Sequence, residues 1–201
     1  MGESIETELA ALVRERAFDR VATQALDEYG AELYGFLVSL VGNEPDAADV
    51  FAQVSEDFWK GIPSFAARCS MRTWLYVLAR NAAARFRRSP WNRSARRTGD
   101  VRLDDFVASA RSRTQPWLRT DVKDRFRALR ESLDPDDRAL LILRVDRALP
   151  WQDIARVMLG DEVVGEEAQE REVARLTKRF QLLKVDLRRR AEEAGLIDAE
   201  S

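Results

Sequence analysis

Helical periodicity is the feature that most constrains this chain of 201 residues. Outside one internal stretch, apolar residues recur at spacings of three and four along nearly all of it. Segments written this way bury one face against another helix, so the pattern specifies an all-α fold. The clearest stripe is Ala47, Val50, Phe51, Val54 and Phe58, which predicts a helix over about 45–60 with Asp46, Asp49, Gln53 and Asp57 on the other face. Gly42-Asn43 ends the apolar run 30–41 ahead of it, and Pro45 suits the first turn of the new helix. Residues 5–28 read as a separate acidic helix before that run. Gly61-Ile62-Pro63 closes the 45–60 helix, and a loop leads to Ser70. Met71, Trp74, Leu75, Leu78 and Ala82 then predict a long helix over about 70–88, with Asn81, Arg85 and Arg88 on its polar side.

Residues 89–119 carry Pro90, Gly99, Pro116 and many Ser, Thr and Arg without a period, as a linker does. They divide the chain into residues 1–89, a linker 90–119, and residues 120–201. In the last part, Asp134-Pro135-Asp136-Asp137 is a helix start: Asp at the N-cap, Pro at the first position and acids in the first turn. Ala139 to Val145 is apolar enough for a core helix. Leu149-Pro150-Trp151 opens a short helix to Leu159, where Gly160 stops it. A long helix over about 168–193 follows, with the seam Val173, Leu176, Phe180, Leu183 and Leu187. At about 100° per residue, Arg171, Arg175, Lys178 and Leu182 point the opposite way, with Arg179 at the margin.

Composition removes several kinds of chemistry. Without histidine there is no His general base, Ser-His-Asp triad or His metal ligand, and Cys69 is the single cysteine. No catalytic residue, metal site or cofactor is expected. The opening MGESIETELA is acidic and has no apolar core, so it does not resemble a secretion signal, and no apolar run approaches the ~18 residues of a membrane span. The expected setting is the cytoplasm, with no membrane partner. Gly30 and Gly35 have phosphate-loop spacing, but Phe36 and Leu37 follow where Lys and Ser/Thr are required.

The net charge of −2 hides a strong pattern. Residues 1–60 sum to −9, residues 61–130 to +12 and residues 131–201 to −5. Residues 80–98 hold seven arginines and no acid, and residues 171–190 hold eight bases against Glu172 and Asp186. Basic helices of this kind are the footprint of phosphate binding. Across residues 72–97, Trp74, Tyr76, Phe86 and Trp91 are interleaved with Arg, as where bases stack on aromatic rings, although Trp74 lies on the buried stripe and reads as core. Two short helices ahead of the second basic helix have the order of a helix-turn-helix, an order that a plain helical hairpin shares. The face formed by Asp46, Asp49, Gln53 and Asp57 has no His or Cys beside it, so it reads as a protein-docking surface rather than a metal or acid–base site.

These segments, in this order, resemble the extracytoplasmic-function sigma factors, small initiation subunits of bacterial RNA polymerase. DAADVFAQVSEDFW (46–59) resembles the family's DAEDLVQEVFLRAW, with Asp46, Ala47, Asp49, Val54 and Trp59 in common. RTWLYVLARNAAARFRR (72–88) is similar to RTWLYRIARNLALDRLRR. SLDPDDRALLILRV (132–145), WQDIARVMLG (151–160) and KRFQLLKVDLRRR (178–190) resemble LPPREREVLLLR, YEEIAEILG and SRLHRARKRLRE. The resemblance implies two helical domains, sigma regions 2 and 4, on a flexible linker. It implies that Asp46, Asp49, Gln53 and Asp57 face the clamp helices of the largest polymerase subunit. It places the loop 61–70 and Arg80, Asn81, Arg85 and Arg88 at the minus-ten element of promoter DNA, where the loop captures a flipped base. Arg171, Arg175, Lys178 and Arg179 fall at the minus-thirty-five element. An anti-sigma factor is a further partner that the family brings in.

The chain departs from the family pattern at three places. Ala48 replaces a Glu, and Ala52-Gln53 stands where Gln-Glu is usual. The interval from Ile154 to Leu176, 22 residues, is about twice the family's, and the surplus is the acidic stretch 161–170, as a longer loop or a backward extension of the last helix. Residues 1–28 are longer than the family needs and suit an extra helix packed on region 2. A stand-alone helix-turn-helix regulator and a sigma-shaped interaction adaptor are the alternatives. A simple repressor has no use for the 46–88 matches, and an adaptor would not let core polymerase start at a promoter.

Overall fold

The structure, a computed structural model, describes residues 2–88, 128–160 and 164–198. The expected linker 90–119, Trp91 and the head of the acidic stretch at 161–163 lie outside these residues. The described part is all-α and falls into two compact units, one holding residues 2–88 and the other residues 128–159 and 164–198.

The first unit has four helices: α1 (Gly2–Arg14), α2 (Phe18–Val41), α3 (Glu44–Gly61) and α4 (Met71–Arg88). The expected division between an acidic helix 5–28 and an apolar helix 30–41 is not where the chain breaks. It breaks at 15–17, where Arg16 adopts φ +57°, and α2 then runs unbroken through Gly30. The missing side chain at Gly30 serves packing instead: a Cβ there would touch the Phe51 ring at 3.5 Å. The N-terminal segment does pack on this unit, burying Leu9 and Leu12 completely or nearly so.

The junction of α2 and α3 follows the local rules. Gly42, at φ +96°, ends α2 and donates its N–H to the Val38 carbonyl at 2.9 Å. Asn43 then caps α3: its Oδ1 accepts from the Asp46 N–H at 2.9 Å, and its Nδ2 donates to Asp46 Oδ2 at 2.8 Å. Ala47, Val50, Phe51, Val54 and Phe58 are all buried. Gly61 is needed for space, because a Cβ there would stand 2.8 Å from Trp74 Cζ2. A 3₁₀ turn, Ile62–Ser64, follows, and Phe65 stacks on Trp74 with ring centroids 4.7 Å apart. Trp74 is thus a core residue.

Helix α4 is buried more widely than its stripe predicts. Thr73, Tyr76, Val77, Ala79 and Ala83 are buried beside Met71, Trp74, Leu75 and Ala82, whereas Leu78 is only half-buried. The reason is that α1, α2 and α3 all pack on α4, so most of its circumference faces protein. Edge-to-face contacts join Tyr34 to Phe51 (5.9 Å) and Phe36 to Tyr76 (5.1 Å).

The second unit contains α5 (Pro135–Leu141), a π-helical turn (Ile142–Asp146), α6 (Trp151–Leu159) and α7 (Glu166–Glu193). Asp134 caps α5 as expected, accepting from the N–H groups of Asp136 (2.9 Å) and Asp137 (3.0 Å). The expected core helix to Val145 is not regular. The wider π turn carries Val145 out to solvent, where it is 53% exposed. Gly160, at φ +78°, ends α6. Leu176, Phe180 and Leu183 bury the α7 seam, Val173 and Leu187 are half-buried, and Trp151 meets the Phe180 ring edge-to-face at 5.7 Å. Helix α7 starts two residues before the expected 168, so the described end of the acidic stretch takes the second of its two forms: Glu166, Glu167 and Glu170 extend the helix backward.

Candidate nucleic-acid and protein-docking faces

On α3 the polar side chains expected to share one face are brought together unequally. Asp49 is exposed, and Asp46, Gln53 and Asp57 are half-buried. Gln53 Nε2 donates to Asp57 Oδ1 at 2.9 Å, and the other Asp57 oxygen accepts from Arg85 Nη2 at 2.6 Å. Asp57 therefore ties the acidic face of α3 to the basic end of α4. Asp46 is committed to the Asn43 cap. The ridge is exposed Asp49 with half-buried Gln53 and Glu56, flanked by Trp59, which is 47% exposed although it is one of the largest apolar side chains in the unit.

On α4 the basic residues sort along the axis. Arg72, at the start, is committed to Glu32 of α2 through two bonds of 2.6 and 2.8 Å, and the Glu32 carboxylate raises its pKa further. Arg80 and Asn81 are half-buried at mid-helix, and Arg85, Arg87 and Arg88 are exposed at the end. Arg87 was not singled out by the sequence, although it belongs to the same Arg run. The helix end gathers positive charge where the backbone carbonyls favour it.

The start of α4 holds a contact that no local pattern announces. The Glu6 carboxylate of α1 accepts from the backbone N–H of Met71 (2.8 Å) and of Arg72 (3.0 Å), and Tyr29 donates its hydroxyl to Glu6 at 2.8 Å. Together with Ser70 Oγ, which accepts from the Thr73 N–H at 3.0 Å, it satisfies the orphan donors of α4. Burial and the Glu6 carboxylate push the Tyr29 phenol well above its ordinary range.

In the second unit, Arg171, Arg175 and Lys178 are exposed on the outer side of α7, and Arg179 is half-buried. Arg179 reaches α5, bonding Asp137 Oδ1 at 2.5 Å and both Asp134 oxygens at 3.2 Å. Burial raises both carboxyls. At Asp134 the hydrogen bonds from Asp137, together with Arg179, outweigh burial and lower it, whereas Asp137 ends above the ordinary range despite Arg179. Arg175 pairs with Glu172 at 2.6 and 2.7 Å, and Glu172 is buried on the seam side. Arg171 meets Glu167 at 3.6 Å with both side chains exposed, a pair of little energetic weight. Lys178 makes no hydrogen bond or ion pair among the described residues. A further clasp joins α6 to α7: Arg156 donates to Gln169 Oε1 at 3.0 Å, and Gln169 Nε2 donates to the Gln152 carbonyl at 3.1 Å. Among the described residues no group of three acidic or Cys side chains is arranged to hold a metal, and no helix is long and apolar enough to cross a membrane.

This arrangement has counterparts among known proteins. The Sigma-70 region 2 family matches residues 25–93, which include α3 and α4. The RNA polymerase sigma-H factor of Pseudomonas aeruginosa is 28% identical over 153 residues, 71% of this chain and 75% of its own length. The ECF RNA polymerase sigma factor SigX of Bacillus subtilis is 27% identical over 168 residues, 80% of this chain and 84% of its own. Both alignments are longer than residues 25–93, so the likeness extends beyond region 2. The residues that carry the acidic side of α3 and the basic helix α4 thus match sigma-70 region 2. Beyond that region the chain is similar to RNA polymerase sigma factors, an extracytoplasmic-function one among them.

Proposed function

We propose that the chain acts in the cytoplasm as a dissociable specificity subunit with no catalytic chemistry of its own, and that each unit contributes a separate contact. Residues 1–89 form an N-terminal helix and region 2, residues 90–119 the linker and residues 120–201 region 4. The α3 ridge, centred on Asp49 and Gln53 with Asp46 and Asp57 at its flank, docks on the clamp helices of the largest subunit of core RNA polymerase. The loop 61–70 and Arg80, Asn81, Arg85 and Arg88 engage the minus-ten element of promoter DNA. The outer side of α7, with Arg171, Arg175, Lys178 and Arg179, meets the minus-thirty-five element. An anti-sigma factor that covers the α3 ridge would compete directly with polymerase.

The observation that carries this reading is the two-sidedness of α3, with five buried apolar residues on one side and an acidic ridge, exposed at Asp49, on the other. The ridge is joined to the basic end of α4 through Asp57 and Arg85, 2.6 Å apart. A docking surface and a phosphate-binding surface are thereby held in one rigid unit. The decisive experiment is run-off transcription with core polymerase on a genomic fragment library, with start sites mapped. Asp49→Arg reverses charge on the ridge and is expected to weaken association with core by about tenfold. Unchanged co-elution of that variant with core would remove α3 from the interface.

A further inference from the structure

The outer side of α7 is not uniformly basic. Arg171, Arg175, Lys178, Leu182, Val185 and Arg189 follow one another at spacings of four, three, four, three and four, so they lie in one line along the helix. Leu182 is 64% and Val185 70% exposed, the two most exposed of the large apolar side chains among the described residues. In the family pattern SRLHRARKRLRE, aligned from Lys178, these two positions carry Arg and Lys. The chain carries apolar surface in place of charge at two exposed positions on the line.

We infer that Leu182 and Val185 read the 5-methyl groups of thymine in the major groove of the minus-thirty-five element, which deepens the reading of α7 as the DNA-facing helix and rests on it. The line holds four bases and no acid, so its charge complements phosphate. Arg189 also bonds Asp186 and Glu193 at 2.7 Å, but in water such exposed pairs give way to a stronger anion. Two apolar side chains are far too little surface for a stable protein interface, which needs on the order of 800 Å² on each partner. In the major groove they have a natural counterpart, because the thymine methyl is the apolar feature of the base edges. The scale also fits: Lys178 and Val185 are about 10 Å apart along the axis at 1.5 Å per residue, within the roughly 12 Å groove width. Lys178 and Arg175 then hold phosphates at one side while Leu182 and Val185 lie over base edges. Apolar contact in place of an Arg fork means this chain selects T-containing steps where a basic side chain would favour guanine.

The test uses the full chain bound to core polymerase. A promoter library randomised in the minus-thirty-five segment is selected, and the winning duplex is resynthesised with deoxyuridine for thymidine in that segment, which deletes only methyl groups. The wild-type holoenzyme is expected to lose about fourfold in affinity for each contacted methyl, the factor for one methylene-sized apolar group. Leu182→Ala, at an exposed helical position that tolerates Ala, is expected to bind the two duplexes with more nearly equal affinity, and Leu182→Ala/Val185→Ala equally. Equal wild-type affinity for both duplexes, with the minus-thirty-five preference intact, would overturn the inference and leave the α7 reading standing. Absence of any preference in that segment, with a salt slope unmoved by Arg175→Ala/Lys178→Ala, would overturn both. Leu182→Ala that weakens core binding while the uracil penalty persists would assign the line to a protein partner, and the inference would fall.

Discussion

The two units solve the same problem, holding short helices together, by different means. In the first, α4 is wrapped by three other helices, and the core is aromatic: Tyr34, Phe36, Phe51, Phe58 and Tyr76 are essentially inaccessible to water. In the second, α7 lies along α5 and α6 on a single seam, and charged clasps add to it: Arg179 with Asp134 and Asp137, Arg130 with Asp146, and Arg156 with Gln169. The difference shows how a helix's neighbours set the use of its residues. A helix surrounded on three sides spends even Thr73 and Tyr76 on packing and keeps charge for its free end. A helix covered on one side has charge to spare along its length, and some of that charge becomes structural.

The largest expected effect lies in the aromatic core. Phe51→Ala should cost the first unit about 3–5 kcal/mol, since Phe51 meets Tyr34 and lies over Gly30. Hydrogen exchange read by peptide should show α2–α4 opening while α5–α7 keep their protection, and equal loss in both units would break the comparison. Gly61→Ala comes next, at about 1–3 kcal/mol, because a Cβ 2.8 Å from Trp74 overpacks the base of the 61–70 loop; an unchanged denaturation midpoint would show that the Trp74 ring yields.

A smaller effect sharpens the split within α7. Arg179→Ala should destabilise the second unit by about 1–2 kcal/mol, removing a partly buried clasp and leaving two carboxylates side by side. Lys178→Ala should leave stability alone but lower the slope of promoter affinity against salt by about one. Identical behaviour of the two variants in melts and salt titrations would erase the division between structural and DNA-facing bases.

The smallest effect is a pH dependence confined to the first unit. The Tyr29 phenol is raised above its ordinary value of 10.0 by burial and by Glu6. Its neutral form is favoured in the fold, so its contribution is complete below about pH 10 and is lost as pH rises beyond that. Tyr29→Phe should therefore weaken less than wild type between neutral and strongly alkaline pH, by amounts under about 1 kcal/mol once solvent screening is counted. Parallel pH profiles for the two proteins would show that the Tyr29–Glu6 contact carries no such dependence.

Much of this was legible in the chain because the relevant interactions are short-range. The α3 stripe, the Asp134 cap, the stops at Gly42 and Gly160 and the α7 seam all depend on residues within a turn or two of each other, where spacing and backbone chemistry suffice. The same local rules misplaced the break between α1 and α2. Gly30 looks like a boundary from its own neighbours, yet it lies buried within α2 with the Phe51 ring of the next helix beside it. They also set Leu78 among the buried residues and left out Tyr76, because the number of helices around α4 is not written in α4.

The candidate faces divide along the same line. The identity of the acidic ridge and the two basic runs followed from the order of residues, and so did the family resemblance. Which members of those sets are exposed did not. Asp46 is taken by a cap, Asp57 and Arg85 by each other, and Arg179 by two carboxylates more than 40 residues away in the chain. Sequence alone determined that the chain is helical, where α3, α4, α6 and α7 begin and end to within a few residues, and which segments carry charge. Tertiary structure decided which charges remain available and that Glu6 caps a helix 65 residues downstream. The physical reason is that periodicity fixes the direction of a side chain about its own axis, whereas its partner is fixed by how separate axes pack.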